Sequence, residues 1–226
     1  MLRFETEGLP LTMAPTRCLV AGWTGRDAAK VQHHIEELAE IGVPPPSTTP
    51  LYYRAACCQL TQAPVVEAVS PDTGGEAEPV VLDAGEAGLW MTLGSDHTDR
   101  ALEAHSVAYA KAIGAKVLAG QAWPLAPLAE RLDDLRLTAE ISADGAAWTP
   151  YQDGTLAAIR PLASLVDGAP EAAAGRLGAG SVMFCGTIAA IGGIRPTLWF
   201  RAALSDPASG ATIRLAYRTR VLPLVA

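Results

Sequence analysis

The sequence predicts an α+β fold that is mainly β, a mixed and largely antiparallel β structure with two or three helices packed outside it. Three observations lead there. Short apolar or β-branched runs at 136–142, 148–152, 181–185, 197–203 and 212–223 are bounded by Gly, Pro and Asp clusters, as strands are. Helical spacing occurs at only three places, 27–41, 98–113 and 156–166. The 226 residues, half of them hydrophobic, can bury one sizeable core, and nothing forces a division. Residues 1–226 are therefore read as a single domain.

Taken in order, residues 2–7 read as a strand and 17–21 as a second, ending at Gly22-Trp23-Thr24-Gly25. In the first helix Val31, Ile35 and Leu38 recur at helical spacing. Thr24 or Asp27 can cap its start, and Gly42 stands where a left-handed C-terminal residue is wanted. The consecutive prolines 44–46 make 43–50 a stiff, exposed connection. Residues 51–60 suit extended chain, and the β-branched run 64–69 ends at the turn signal Ser70-Pro71-Asp72-Thr73-Gly74-Gly75. Residues 76–82 and 89–93 look like paired strands joined through 83–88. Over 98–113 a stripe of Leu102, Ser106, Tyr109 and Ile113 on an alanine-rich background predicts one helix.

Composition narrows the function. A formal net charge of −7 argues against a general nucleic-acid binder, whose affinity comes from neutralising phosphates, and favours a small ligand. Mean hydropathy is +0.20, yet no apolar run is long enough to span a bilayer, so no membrane association is expected. Glu5 and Glu7 fall too early for a signal peptide. Of the four cysteines, adjacent Cys57 and Cys58 cannot close an ordinary bridge with each other, which fits a reducing, cytoplasmic setting.

Several residues could carry chemistry. In a strand, residues i and i+2 share a face, so Glu76 and Glu78 would aim their oxygens into the same space, and Asp96 follows at the entrance to the second helix. Three converging carboxylates suggest a hard divalent cation. The plainer alternative is a solvated edge strand, as Pro79 would encourage, with Asp96 capping the helix. In the first helix His34 lies roughly 70° off the apolar stripe and His33 nearly opposite it, while Glu37 is three residues beyond His34 on the same flank. A carboxylate beside an imidazole makes a general base for water; a surface pair is the alternative. Gly186 and Thr187, at the turn after a strand, could hold a carboxylate through backbone amides and a hydroxyl. Cys185 reads as a small packed residue. Lys116 could neutralise an anionic substrate or be solvated. Ser95-Asp96-His97 places serine, acid and histidine in succession, but a triad needs them to converge in space.

In order along the chain, these pieces resemble the fumarylacetoacetate hydrolase superfamily, in its C-terminal catalytic domain. Glu76-Ala77-Glu78 looks like that family's E-x-E, and Ser95-Asp96-His97-Thr98-Asp99-Arg100 like its N-D-V-S-x-R. Tyr151-Gln152-Asp153-Gly154-Thr155 is similar to its Q-D-G stretch, residues 180–187 to its P-G-D-x-I-x-T-G-T, and His34-Ile35-Glu36-Glu37 has the spacing of its H-x-x-E. The interval from Glu78 to Asp96 is shorter than the family usually has. The resemblance implies a mixed β-sandwich or roll with a few peripheral helices, often a homodimer, with residues 24–50 as a lid. It implies Mg2+ or Mn2+ on Glu76, Glu78 and Asp96, with Ca2+ able to replace them in a crystal. It further implies water activation by His34 and Glu37, a catalytic Lys116, and substrate contacts at Arg100, Gln152, Asp153, Gly186 and Thr187. The expected reaction is hydrolysis of a carbon–carbon bond in a small anionic 1,3-diketo acid or related β-keto compound. Decarboxylation, isomerisation or hydration through an enolate is the nearest alternative, and a non-catalytic small-molecule binding protein the next.

Overall fold

The computed structural model describes residues 1–40, 44–223 and 225, and it leaves the side chains of His34, Glu37 and Leu38 outside that description. In chain order the strands begin with β1 (Leu2–Phe4), β2 (Leu11–Met13), β3 (Arg17–Gly22), β4 (Leu51–Ala55), β5 (Leu60–Thr61), β6 (Val65–Ala68), β7 (Thr73–Gly74), β8 (Ala77–Asp83) and β9 (Leu89–Asp96). They continue as β10 (Thr98–Asp99), β11 (Lys116–Leu118), β12 (Trp123–Pro124), β13 (Arg136–Ser142), β14 (Thr149–Thr155), β15 (Ser181–Phe184), β16 (Trp199–Ser205) and β17 (Thr212–Val221). The helices are α1 (Ala28–Glu40), α2 (Arg100–Glu103), α3 (Val107–Ile113) and α4 (Leu162–Gly168). The fold is mainly β with few helices, as the strand signals predict.

Two sheets account for most of it. One runs β4-β3-β15-β8-β9-β11-β5, with β12 also on β9; the other runs β14-β13-β16-β17-β6. The centre of the first sheet is buried on both faces, which is why residues 79–82 of β8 and 182–184 of β15 are continuous apolar stretches rather than alternating ones. Ala77, Val81 and Met183 face a core shared with Leu137, Phe200 and Leu215 of the second sheet. Val80, Leu82 and Phe184 face the other way, against Leu2, Phe4, Leu11 and Met13 of the β1–β2 hairpin.

Pro79 sits inside a central strand, not at an edge, and the ladder accommodates it. The last residue of β15 to pair with β8 is Phe184, opposite Val80. Cys185 then donates its N–H to the Pro79 carbonyl at 3.1 Å and the chain turns away. The missing Pro79 N–H thus falls where the ladder ends, so only the terminal bond of that ladder is forgone.

The far end of β8 is fixed by Asp83, whose carboxylate has no exposed area. It accepts from Arg176 Nε at 3.0 Å, again from Arg176 Nη2, and from the N–H groups of Gly85 and Gly178 at 3.1 and 3.0 Å. Burial alone would raise its pKa, but these donors hold it below the ordinary carboxylate value. Folding therefore favours the ionised form, and that stabilisation is present above the ordinary carboxylate range and lost as pH falls. Asp83→Ala is expected to cost about 2–3 kcal/mol at neutral pH, because two backbone donors and a guanidinium lose their acceptor. Urea unfolding should show this penalty shrinking in acid; a penalty independent of pH would contradict it.

The expected single helix over 98–113 is two. Asp99 Oδ1 accepts from Leu102 N at 2.9 Å and Ser106 Oγ from Tyr109 N at 3.3 Å, so each side chain starts a helix of its own. The expected stripe is also out of phase. Tyr109 is 68% exposed and Ile113 49%, while Ala110 and Lys111 are the buried residues of α3. The helix expected at 156–166 is a 3-10 turn at Leu156–Ala158 followed by α4, since Pro161 between them cannot occupy a helix interior. Among the described residues no helix is long and apolar enough to cross a membrane.

Candidate metal centre

Strand register builds the site. Ala77 of β8 stands opposite Ser95 of β9, and the Asp96 N–H donates to the Glu76 carbonyl at 3.0 Å. Across β9's other edge, Asp96 pairs with Lys116 of β11. Residues directly opposite one another share a sheet face, so Glu76, Asp96 and Lys116 form a row across the strands, and Glu78, two residues along, joins it. The three carboxylates each bring an oxygen within 4.8 Å of the others, and all three residues are buried. The solvated-edge alternative does not hold, and the short Glu78–Asp96 interval is a single β8–β9 hairpin turning at 84–88.

Ser95 and His97, either side of Asp96, reach the opposite face. There the Tyr217 hydroxyl lies 2.9 Å from Ser95 Oγ and 2.9 Å from His97 Nδ1, and Thr73 Oγ1 lies 2.7 Å from His97 Nε2. The three consecutive residues do not form a triad.

Three cations meet the acids. Lys116, with no exposed side-chain area, places Nζ 2.8 Å from Asp96 Oδ1 and donates to the Gly114 carbonyl at 2.9 Å. Lys111 reaches in from α3 and places Nζ 2.7 Å from Asp96 Oδ2 and 2.8 Å from Glu76 Oε2. Arg100 of α2 sets Nη1 2.8 Å from Glu103 Oε2 and 3.5 Å from Glu76 Oε1. Burial pushes every carboxylate up, but the lysines outweigh it for Asp96, and Lys111 with Arg100 outweigh it for Glu76, so both lie below their ordinary values. Glu78 is different. Burial, then the charges of Asp96 and Glu76, push it well above the ordinary range, and among the described residues no cationic side chain is bonded to it.

Gly186, Gln152 and Thr187 hold the acids in place. Gly186, at φ 90°, donates its N–H to Glu78 Oε2 at 2.8 Å. Gln152 Oε1 accepts from the Ala77 N–H at 2.9 Å, and Thr187 Oγ1 donates to the Ala77 carbonyl at 2.7 Å. The peptide between the two glutamates is thus clamped on both sides. Gln152 and Thr187 engage protein backbone where substrate contacts were expected. Asp153 lies outside the site: alternation along β14 turns it to the surface, where it pairs with Arg136 at 2.8 Å. The backbone of His34 and Glu37 belongs to α1. Their side chains, and with them the expected water-activating pair, lie outside the described residues, as do residues 41–43 of the expected lid.

At the rim, Trp23 holds φ 60°, unusual for a tryptophan, and its Nε1 donates to the Tyr53 hydroxyl at 3.1 Å. Glu103, part-exposed, stands beside Arg100 and 3.9 Å from Lys111 Nζ. Two clefts open elsewhere. One of about 400 Å3 is apolar, between Leu89, Leu125 and Val166; one of about 520 Å3 lies between Pro50, Tyr52 and Arg160. Neither contains the carboxylates.

Sequence reasoning missed Lys111, Trp23 and Thr24. The available signal for Lys111 was a lone cation inside an alanine-rich helix, which reads as solvated unless its acidic partners are known. From its spacing Thr24 reads only as a helix cap, yet it is buried against Gly186.

The fold and the cluster together define a mainly β protein with a buried carboxylate and lysine centre at the open end of its central hairpin. The chain belongs to the family described as protein of unknown function DUF2848, which matches residues 21–217 and so spans every group in that centre. Among solved structures it is similar to the crystal structure of Cg1458 with inhibitor, at 15% identity and a TM-score of 0.64, over 93% of this chain and 78% of that one. At that identity the likeness is one of fold. No curated protein matches the chain.

Proposed function

We propose that the protein is a divalent-metal-dependent enzyme of the fumarylacetoacetate hydrolase type that hydrolyses a carbon–carbon bond in a small 1,3-diketo acid or related β-keto compound. The observation that carries this reading is the convergence of Glu76, Glu78 and Asp96, buried, within 4.8 Å. Three carboxylates are hard donors that fit Mg2+, Mn2+ or Ca2+, and the cation they would hold supplies the charge that buried Glu78 lacks. When bound, the ion acts as a Lewis acid on keto or enol oxygens.

The remaining work falls to the chain. Glu76, Glu78, Asp96 and Glu103 face Lys111, Lys116 and Arg100, so a bound divalent ion would make the site more positive, which suits an anionic substrate. Arg100, whose buried Nε has no hydrogen-bond partner among the described residues, would bind the substrate's carboxylate. Lys116 holds Asp96 ionised and aimed. His34, on α1 with Glu37 one turn on, takes the proton from water. Free cysteines at 18, 57, 58 and 185 support a cytoplasmic setting, and the homodimer that the family resemblance implies is part of the same reading.

Calorimetric titration of the chelator-stripped protein should show one Mn2+ or Mg2+ bound per chain, and acylpyruvates or oxaloacetate should turn over only with the metal. Glu78→Gln should lower kcat/KM at least about 100-fold. If neither ion binds, the reading fails in favour of a metal-free binding protein. If His34→Ala leaves turnover intact while Glu78→Gln abolishes it, hydrolysis gives way to decarboxylation, isomerisation or hydration.

A further inference from the structure

The position of Lys111 bears on how a cation enters this site. Its ammonium touches two of the three carboxylates that would hold the ion, at 2.8 Å from Glu76 and 2.7 Å from Asp96, and its 3.4 Å approach to Thr98 Oγ1 keeps it inside the row. A divalent ion bound by Glu76, Glu78 and Asp96 would share that space with a full positive charge. At such separations in a buried setting, like charges repel strongly. Lys116 has no such conflict, because it approaches Asp96 from the flanking strand and bonds the opposite oxygen.

We propose that Lys111 is a displaceable internal counter-ion, which neutralises Glu76 and Asp96 in the metal-free protein and gives up its place to the metal by swinging to Glu103. The inference rests on the metal-dependent reading above. Glu103 Oε1 already lies 3.9 Å from Lys111 Nζ, so a small rotation about the lysine's side-chain bonds completes that ion pair. Glu103 is part-exposed, and the move takes the ammonium outward. Because α2 and α3 each carry one partner, the exchange needs no rearrangement of the sheet. The ammonium would come to rest at the rim beside Arg100, adding a second cation where an anionic substrate enters. Metal binding would thereby arm the substrate site, and removal of the metal would leave the acids neutralised and the protein folded.

The test uses the full chain, stripped with chelator and titrated with Mn2+ by calorimetry. Lys111→Met is expected to bind Mn2+ at least about tenfold more tightly than the parent. Glu103→Gln is expected to weaken binding severalfold in the parent and to have no effect alongside Lys111→Met, since the group that uses Glu103 is then gone. If the parent binds Mn2+ and Lys111→Met binds it no better, displacement is wrong and the metal-dependent reading survives. If neither binds Mn2+, both fall. Should Lys111→Met be unstable without metal, its melting temperature is to rise more on adding Mn2+ than the parent's does; an equal rise overturns the proposal.

Discussion

Asp96→Ala is expected to cost the fold about 3–5 kcal/mol, besides removing one of the three ligands of the proposed metal site. The carboxylate is the shared partner of Lys111 and Lys116, and neither it nor Lys116 has any exposed side-chain area. Without it Lys116 keeps, among the described residues, only the Gly114 carbonyl, and a buried ammonium left with so little compensation is among the more damaging single changes a domain can suffer. Asp96→Asn keeps the shape and an acceptor and should cost less, but more than a surface change. Urea unfolding followed by circular dichroism measures both, and a loss under about 1 kcal/mol for Asp96→Ala would mean that these ion pairs do not hold the sheet together.

The second large effect is expected at Gly186. Its φ of 90° suits glycine, and a Cβ there would stand 1.7 Å from Thr24 Oγ1. Gly186→Ala must therefore move the turn, and the movement takes its N–H away from Glu78. We expect Mn2+ affinity to fall at least tenfold and stability by about 1–3 kcal/mol from the strained backbone. Adding Thr24→Ala relieves the contact but not the φ, so recovery should be partial. Calorimetry and thermal melting decide: an alanine variant that binds Mn2+ like the parent would show that the Gly186 contact does not shape the site.

Much of this was legible because it is local. The same-face placement of Glu76 and Glu78 follows from strand periodicity, and the turn residues around 76–82, 89–93 and 181–185 mark those stretches as strands. What failed was non-local. The helical stripe over 98–113 pointed to Tyr109 and Ile113, since hydropathy counts Lys111 as a solvent residue and cannot see the two carboxylates that bury it. The Q-D-G likeness groups Asp153 with Gln152, whereas one-residue alternation sends it to the other side of β14. Pro79 argued for an edge strand on local chemistry, and only the end of β15 opposite it shows why a central strand tolerates it. Three-residue β11 gave no periodic signal, yet it delivers Lys116 to Asp96.

The row from Glu76 through Asp96 to Lys116 is welded into three hydrogen-bonded strands, whereas Arg100, Glu103 and Lys111 ride on two short helices beside it. The two halves are therefore unequally free to diversify. On the metal-dependent reading proposed above, substitutions along residues 100–113 would tune which molecule is admitted and how readily Lys111 yields, while the three carboxylates stay where the strands put them, so a related chain could acquire a new substrate without rebuilding its centre.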